Sequence, residues 1–249
     1  MFFTLSSIIL ALVYHLWIHR VNIENHAQSS LALWGVVMGV YFLDRYLDTS
    51  RSIVAAPRKI FAQGGGLIVG LTVSAGLLVY GLWGITDRLI AQGVLIGALL
   101  FPYFYFFVVS ATHPILGAWK EAAIAFIFGL GVGIPLDFEI GFWAELASLS
   151  WLIFLGLVLI SDIDRDLDRV NRMPNLFLYT PFKSYRFTYG GSLILLPMWW
   201  QFDLLIEMLS TLVFLEIIYT FKDSLKADQR LHILVDSALL LPFLIGIIL

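Results

Sequence analysis

Long runs of apolar residues, separated by short polar connections, dominate the pattern along the chain. A helix needs about 20 mostly apolar residues to cross roughly 30 Å of hydrocarbon in a bilayer. The runs are continuous rather than alternating, which argues against the strands of a membrane barrel. Nine runs are present: Phe2–Ile18, Ala27–Leu43, Leu67–Ile85, Leu89–Val109, Ala122–Leu136, Leu146–Ile160, Phe187–Trp200, Leu204–Phe221 and Leu231–Leu249. The pattern therefore predicts an all-α, polytopic membrane bundle of about nine helices, forming one domain over residues 1–249.

The basic residues support this count, because they fall almost entirely on one side of a nine-helix topology. Of the 15 Lys and Arg residues, only Arg20 and Arg88 lie outside the connections that follow segments two, four, six and eight. Membrane proteins concentrate Lys and Arg in their cytoplasmic loops. The even-numbered connections are therefore predicted to be cytoplasmic, as in an integral protein of a bacterial inner membrane.

Composition excludes several other classes of protein. Apolar residues make up 60% of the chain and charged residues 13%, whereas a typical soluble domain is about 25% charged. The absence of cysteine excludes a disulfide scaffold, and a net charge of −3 offers no basic surface to nucleic-acid phosphates. We therefore expect the lipid bilayer, and not nucleic acid, to be a partner of this chain.

Two acidic motifs of the form D-R-x-L-D lie 120 residues apart, Asp44–Asp48 after the second segment and Asp164–Asp168 after the sixth. Residues four apart on a helix share one face, so each motif places two carboxylates close together. Like charges at this spacing require a cation, which could be a neighbouring arginine or a divalent metal. Mg²⁺ is typically held by one or two carboxylates, waters and phosphate oxygens. The motifs therefore predict either interfacial ion pairs or a metal–diphosphate site on the cytoplasmic side.

The second motif contains a further pair at the same spacing, Asp162 and Asp166. The 3.6-residue period turns this pair well away from Asp164 and Asp168, so both pairs cannot face one cavity equally. The residues alone do not determine whether Asp164 and Asp168 or Asp162 and Asp166 would bind the metal.

The arrangement resembles the UbiA superfamily of membrane prenyltransferases, whose members have nine helices and two aspartate motifs after the second and sixth helices. The typical motifs are N-D-x-x-D-x-x-x-D and D-x-x-D-x-x-x-D, and their last two aspartates correspond to the first and last residues of Asp44–Asp48 and Asp164–Asp168. The stretch His113–Lys120 is similar to the family's basic stretch after the fourth helix. A lysine there commonly meets the diphosphate, so Lys120 is the matching residue.

The resemblance implies that the chain transfers an isoprenoid group from a prenyl diphosphate to an aromatic or lipid acceptor, with Mg²⁺ as cofactor. The residues that it assigns to metal binding and catalysis are Asp44, Asp48, Asp164 and Asp168, with Asp162 and Asp166 as second choices for the metal, and Lys120, Arg51 and Arg169 are assigned to the diphosphate. We expect the four aspartates to converge on one cavity that opens toward the cytoplasm, with Lys120 at its rim.

Departures from the family pattern keep two other functions open. Val40 and Tyr41 stand where the family has its leading Asn and Asp, and Ser161 stands where the second motif usually begins with Asp. These differences motivate a non-catalytic descendant that binds an isoprenoid lipid. Glu216 and Asp236 lie inside predicted membrane segments, where ionisable residues are often functional, and they motivate an ion-coupled transporter.

Overall fold

A computed structural model of the chain describes residues 9, 11, 13–15, 23–51, 65–83, 85–105, 119–134, 139–171, 176–179, 185–225 and 230–248. Every regular element in these ranges is helical, and no strand occurs within them. The predicted all-α class is therefore confirmed for this part of the chain.

Thirteen α-helices are described. They are α1 (Ile23–Arg51), α2 (Gly65–Leu82), α3 (Asp87–Pro102), α4 (Lys120–Val132), α5 (Ile140–Ile163), α6 (Arg165–Asn171), α7 (Leu176–Tyr179), α8 (Tyr185–Gly190), α9 (Leu196–Gln201), α10 (Leu205–Thr220), α11 (Lys222–Leu225), α12 (Arg230–Ala238) and α13 (Leu241–Ile248). A short 3₁₀ helix, Gly191–Leu195, joins α8 to α9.

Three of the described helices are long and apolar enough to cross a membrane, namely Gly65–Leu82, Asp87–Tyr105 and Ile140–Ile163. They correspond to the third, fourth and sixth of the nine predicted segments. The first predicted segment, Phe2–Ile18, lies mostly outside the described residues. The structure therefore supports a membrane protein with transmembrane helices, and it supports three crossings by length and composition.

Two predicted segments are not single helices. Phe187–Trp200 is divided among α8, the 3₁₀ helix and α9, and the Gly190–Gly191 pair lies at the first division. Glycine lowers helix stability because it has high conformational freedom in the unfolded chain. Leu231–Leu249 is divided into α12 and α13 by a turn at Leu239 and Leu240. Pro242 is the second residue of α13, a position where proline is tolerated because the first N–H groups of a helix have no intrahelical acceptor.

More residues are buried on α5 than on any other described helix, and this helix lies at the centre of the main hydrophobic core. Leu149, Leu152 and Leu155 on this helix are completely buried. The indole Nε1 of Trp199 donates a hydrogen bond to Ser148 Oγ at 2.9 Å, which ties α9 to the same helix. The broken seventh segment is thus held against α5 by both packing and a buried hydrogen bond.

The helices α2 and α3 have the opposite character, because their outer faces are apolar and exposed. Ile68 and Val79 on α2 are 67% and 66% exposed, and Leu95 on α3 is 68% exposed. Large exposed apolar patches are uncommon on soluble monomers and are characteristic of surfaces that contact membranes or partners. These faces are suited to lipid.

Glycines allow α1 and α2 to approach closely. A Cβ built on Gly35 would lie 2.6 Å from the backbone nitrogen of Leu78, which is closer than real Cβ contacts. Ser74 Oγ donates a hydrogen bond to the carbonyl oxygen of Gly35 at 2.5 Å. Small residues serve this purpose between transmembrane helices, where close backbone approach supplies much of the packing energy.

We expect Gly35→Ala to lower the stability of the protein by about 1–3 kcal/mol, because the added methyl group overpacks a backbone contact. Gly76→Ala on α2 is the matched control, since a Cβ there meets nothing within 4 Å and alanine favours helix by up to about 1 kcal/mol over glycine. Thermal unfolding of the detergent-solubilised variants is the measurement. Equal shifts in Tm for both variants would contradict the assigned contact.

Candidate functional site

A cavity of about 590 Å³ lies between α1, α2, α3, α4, α5 and α12. One face of α1 lines it from Ser29 to Asp44, and one face of α3 lines it from Leu89 to Tyr103. At about 1.5 Å per residue, the lining of α1 extends for about 22 Å. The cavity is therefore an elongated channel, and most of its wall is apolar.

The two ends of the channel are identified by hydrogen bonds between the helices. At one end, Nδ1 of His15 donates to the carbonyl oxygen of Val132 at 2.8 Å, near the end of α4, and the hydroxyl of Ser29 lies 3.4 Å from its Nε2. At the other end, the hydroxyl of Tyr103 donates to Asp44 Oδ1 at 3.4 Å. Lys120 begins α4 and Val132 ends it, so Lys120 lies toward this second end.

The second end, here called the polar end, carries a concentration of charged side chains. Four structural elements contribute to it: the later part of α1, the end of α3, the beginning of α4, and the junction of α5 with α6. The charged lining residues there are Asp44, Lys120, Glu121, Asp164 and Asp168. The structure thus brings together three of the four aspartates of first choice and the lysine predicted to accompany them.

Asp44 is positioned by two helices. It lies on α1, which continues without a break to Arg51, so the first motif is helical throughout. Tyr103 reaches Asp44 from a π-helical turn that follows Pro102 on α3. Proline lacks a backbone N–H and disrupts the regular helical hydrogen bonding around it, and widened turns of this kind are frequent at functional sites.

Asp164 and Asp168 keep their relation across a break in the helix. α5 ends at Ile163 and α6 begins at Arg165, with a bend at Asp164. The backbone N–H of Asp168 nevertheless donates to the carbonyl oxygen of Asp164 at 2.8 Å. This i to i+4 bond preserves one helical turn between the two residues, and both side chains line the cavity.

The other pair of the second motif has a different environment. Asp162 is 7% exposed, and its two carboxylate oxygens bind the guanidinium of Arg165 and, at 3.2 Å, the ammonium of Lys222. Asp166 is exposed. Neither residue is part of the described cavity lining. Asp164 and Asp168 therefore line the channel, whereas Asp162 belongs to an ion-pair network.

The basic residues assigned to the diphosphate differ in their position relative to the cavity. Lys120 is the first residue of α4 and lines the polar end. Arg169 is exposed on α6 and lies outside the described lining. The side chains of Arg51 and Asp48 fall outside the described residues, although the backbone of α1 is helical at both positions.

Glu121 is a residue of the polar end that the sequence did not single out. It is 5% exposed, and Ser161 Oγ donates a hydrogen bond to its Oε1 at 3.0 Å. Its Oε2 is buried and has no hydrogen-bond partner among the described residues. Ser161 is the residue that replaces the family's leading aspartate of the second motif, so a carboxylate from α4 now stands beside that position.

The pKa of Glu121 is raised to about 7. Burial is the main cause, because it disfavours the charged form. The negative charge of Asp168 raises the pKa further, while Lys120 and the hydrogen bond from Ser161 lower it. Glu121 comes just before the predicted segment Ala122–Leu136, at the polar end of the channel.

Of the two acidic residues that motivate a transporter, only Asp236 on α12 is part of the described cavity lining. Glu216 on α10 forms an ion pair with Arg186 at 2.9 Å.

The carboxylates of the polar end fit a metal that arrives with a phosphate group better than a preformed metal centre. Within the described ranges, no three His, Asp or Glu side chains are close enough to hold a metal ion by themselves. Mg²⁺ requires only one or two carboxylates when waters and phosphate oxygens complete its coordination. Asp44, Asp164 and Asp168 on one cavity end, with Lys120 nearby, provide that kind of donor set.

No family model, curated protein or solved structure matches this chain.

Proposed function

We propose that the chain is a membrane prenyltransferase that transfers an isoprenoid group from a prenyl diphosphate to an acceptor, with Mg²⁺ as cofactor. The observation that supports this proposal is the channel, whose lining extends for about 22 Å along α1, with acidic residues and Lys120 at one end and a mostly apolar wall over the rest. This shape is complementary to a molecule with a metal-bound anionic head and a hydrocarbon tail. A nine-crossing bundle like that of the UbiA superfamily, with its polar end at the cytoplasmic side, is part of the proposal.

The residues of the channel would have different roles in the reaction. Asp44, Asp164 and Asp168 would hold Mg²⁺, which when bound stabilises negative charge on the leaving diphosphate. Lys120 binds diphosphate oxygens by a charge-assisted hydrogen bond. The apolar wall holds the isoprenoid tail and excludes water from the electrophilic carbon. Aromatic faces such as that of Phe128, which lines the channel, can stabilise a cation.

The direct test is a turnover assay with purified protein in detergent. Incubation with Mg²⁺, prenyl diphosphates of several chain lengths and a set of neutral acceptors is expected to release diphosphate and to yield prenylated product. Thermal unfolding shows whether the purified protein is folded. If folded protein releases diphosphate from none of the donors, the enzymatic proposal is excluded.

A non-catalytic isoprenoid-binding protein is the second candidate, and one observation favours it. Val40 and Tyr41 line the cavity at the positions where the UbiA pattern has Asn and Asp. A binding protein of this kind would hold the tail in the channel without requiring metal at the head.

Binding of Mg²⁺ and of the donor is expected to be mutually dependent, because carboxylates and diphosphate oxygens would share the ion. A non-hydrolysable prenyl thiolodiphosphate is expected to bind at least about tenfold more tightly with Mg²⁺ than with a chelator, a coupling of about 1.4 kcal/mol. Isothermal calorimetry measures both affinities. Equal affinity with and without Mg²⁺ would favour the non-catalytic candidate.

A further inference from the structure

The carboxylate of Glu121 occupies an unusual position for a charged group. It is 5% exposed, lines the polar end of the channel, and has one oxygen, Oε2, with no hydrogen-bond donor among the described residues. A buried polar atom without a partner costs about 1–3 kcal/mol, so such atoms are rare and are often completed by a ligand. The other oxygen is held by Ser161 at 3.0 Å, which fixes the orientation of the carboxyl group.

The groups around Glu121 are those of the polar end. Lys120 precedes it on the same helix, and Asp164 and Asp168 face the cavity from the junction of α5 and α6. Asp44 and Tyr41 line the cavity from α1, and Tyr103 lines it from α3. Its position is suited to a general base, because Ser161 fixes one carboxyl oxygen and leaves Oε2 without a donor among the described residues.

We propose that Glu121 and Ser161 form the acceptor site, in which Oε2 of Glu121 accepts the hydrogen bond of a hydroxyl group on a neutral alcohol or phenol and removes its proton. This inference rests on the proposed function and specifies its acceptor. In the reaction, the bond between the prenyl carbon and the diphosphate oxygen breaks, and its electron pair leaves with the diphosphate. The acceptor oxygen forms a new C–O bond to that carbon, and the hydroxyl proton passes to Glu121.

Two features determine the class of acceptor. An ionised carboxyl group has no hydrogen to donate, so the acceptor must supply the hydrogen-bond donor, and a hydroxyl group can do so and lose its proton to Oε2. The mostly apolar wall of the channel favours an acceptor with a neutral body. Since Glu121 directly follows Lys120, the acceptor oxygen lies beside the group that binds the leaving diphosphate.

The contact itself is tested by infrared difference spectroscopy, with phenol and its methyl ether as probes. The spectrum of wild-type protein minus Glu121→Gln is expected to contain one carboxyl group whose protonated band is replaced by a carboxylate band as the pH rises. Phenol is expected to shift the carboxylate band, and the methyl ether, which has no hydroxyl donor, is expected to leave it in place. A band that phenol does not move, or that both probes move equally, would overturn the acceptor site.

The proton transfer is tested by turnover as a function of pH. Because the base must be ionised, kcat for phenol is expected to rise with pH as Glu121 loses its proton. Glu121→Gln is expected to lower kcat at least about 100-fold while the KM for the prenyl diphosphate stays within about threefold. Ser161→Ala removes an interaction that lowers the pKa, so its profile is expected to move toward higher pH. An unchanged profile in both variants would overturn the role of Glu121.

The two experiments separate this inference from the function on which it rests. If no donor releases diphosphate but phenol shifts the carboxyl band of Glu121, the prenyltransferase proposal fails and the hydroxyl-binding contact remains. If wild-type protein transfers the isoprenoid group and Glu121→Gln does so at an unchanged rate, the enzymatic proposal stands and the acceptor site is overturned.

Discussion

Replacing Asp44 and Asp168 together with Asn is expected to reduce diphosphate release at least about 1,000-fold, which corresponds to about 4 kcal/mol of activation free energy. The two residues belong to different motifs and line one end of the channel. Asparagine preserves their size while removing two negative charges, so the expected loss concerns the bound metal and not the packing. Initial rates of diphosphate release at saturating Mg²⁺ are the measurement.

Asp166→Asn is the matched control for this double variant. Asp166 belongs to the same second motif, but it is exposed and lies outside the described cavity lining. Its rate is expected to stay within about twofold of wild type, since surface substitutions rarely change stability by more than about 0.5 kcal/mol. A double variant that retains the wild-type rate would exclude these aspartates from the mechanism, and equal losses in the control would indicate a general charge effect.

Filling the channel from α3 is expected to impose a limit on the length of the isoprenoid donor. Gly97 and Gly93 line the cavity, and a Cβ at either position meets nothing within 4 Å. They lie six and ten residues from Tyr103, or about 9 and 15 Å along the helix. Gly97→Phe is expected to lower kcat/KM for a 20-carbon donor at least about 100-fold, or about 2.7 kcal/mol, while a 5-carbon donor is retained.

The two channel variants are expected to limit the donor to different chain lengths. Gly93→Phe is expected to accept donors longer than those accepted by Gly97→Phe, because its ring would lie deeper in the channel. Gly76→Phe is the control, since Gly76 has equal space around it but is not part of the described lining. Equal losses for all donors in both channel variants would show that the isoprenoid tail does not follow this wall.

Much of the polar end could be predicted because its information is local in sequence. The repeated D-R-x-L-D spacing, with one copy after each of two apolar segments, together with the resemblance to the UbiA superfamily, associated Asp44 with Asp164 and Asp168. The prediction survived the break between α5 and α6, because a backbone hydrogen bond maintains the turn from Asp164 to Asp168. The choice of register was not available from the sequence, since it depends on Lys222 reaching Asp162 from a distant segment.

Glu121 shows why the rest of the site could not be predicted. In the sequence it is one acidic residue beside Lys120, and Ser161 is only a missing aspartate. Their relation arises from the packing of α4 against α5, which places two residues 40 positions apart within hydrogen-bonding distance. The helix breaks had weak local signals in Gly190–Gly191 and Pro242, but hydrophobicity alone does not distinguish a continuous helix from two short ones.

The ion-pair network of Asp162 has a consequence for the electrostatics of the whole protein. Arg165 lies over the ring of Phe177 and Lys222 over the ring of Tyr219, at 4.7 and 4.1 Å, while both bind Asp162. Near the end of α5, the buried carboxylate of Asp162 is therefore neutralised by cations of the chain itself, while Asp164 and Asp168 on the following turn line the cavity. Arg165 and Lys222 are thereby committed to Asp162 and are not part of the described lining, so a chain with a net charge of −3 keeps two of its basic side chains away from that cavity.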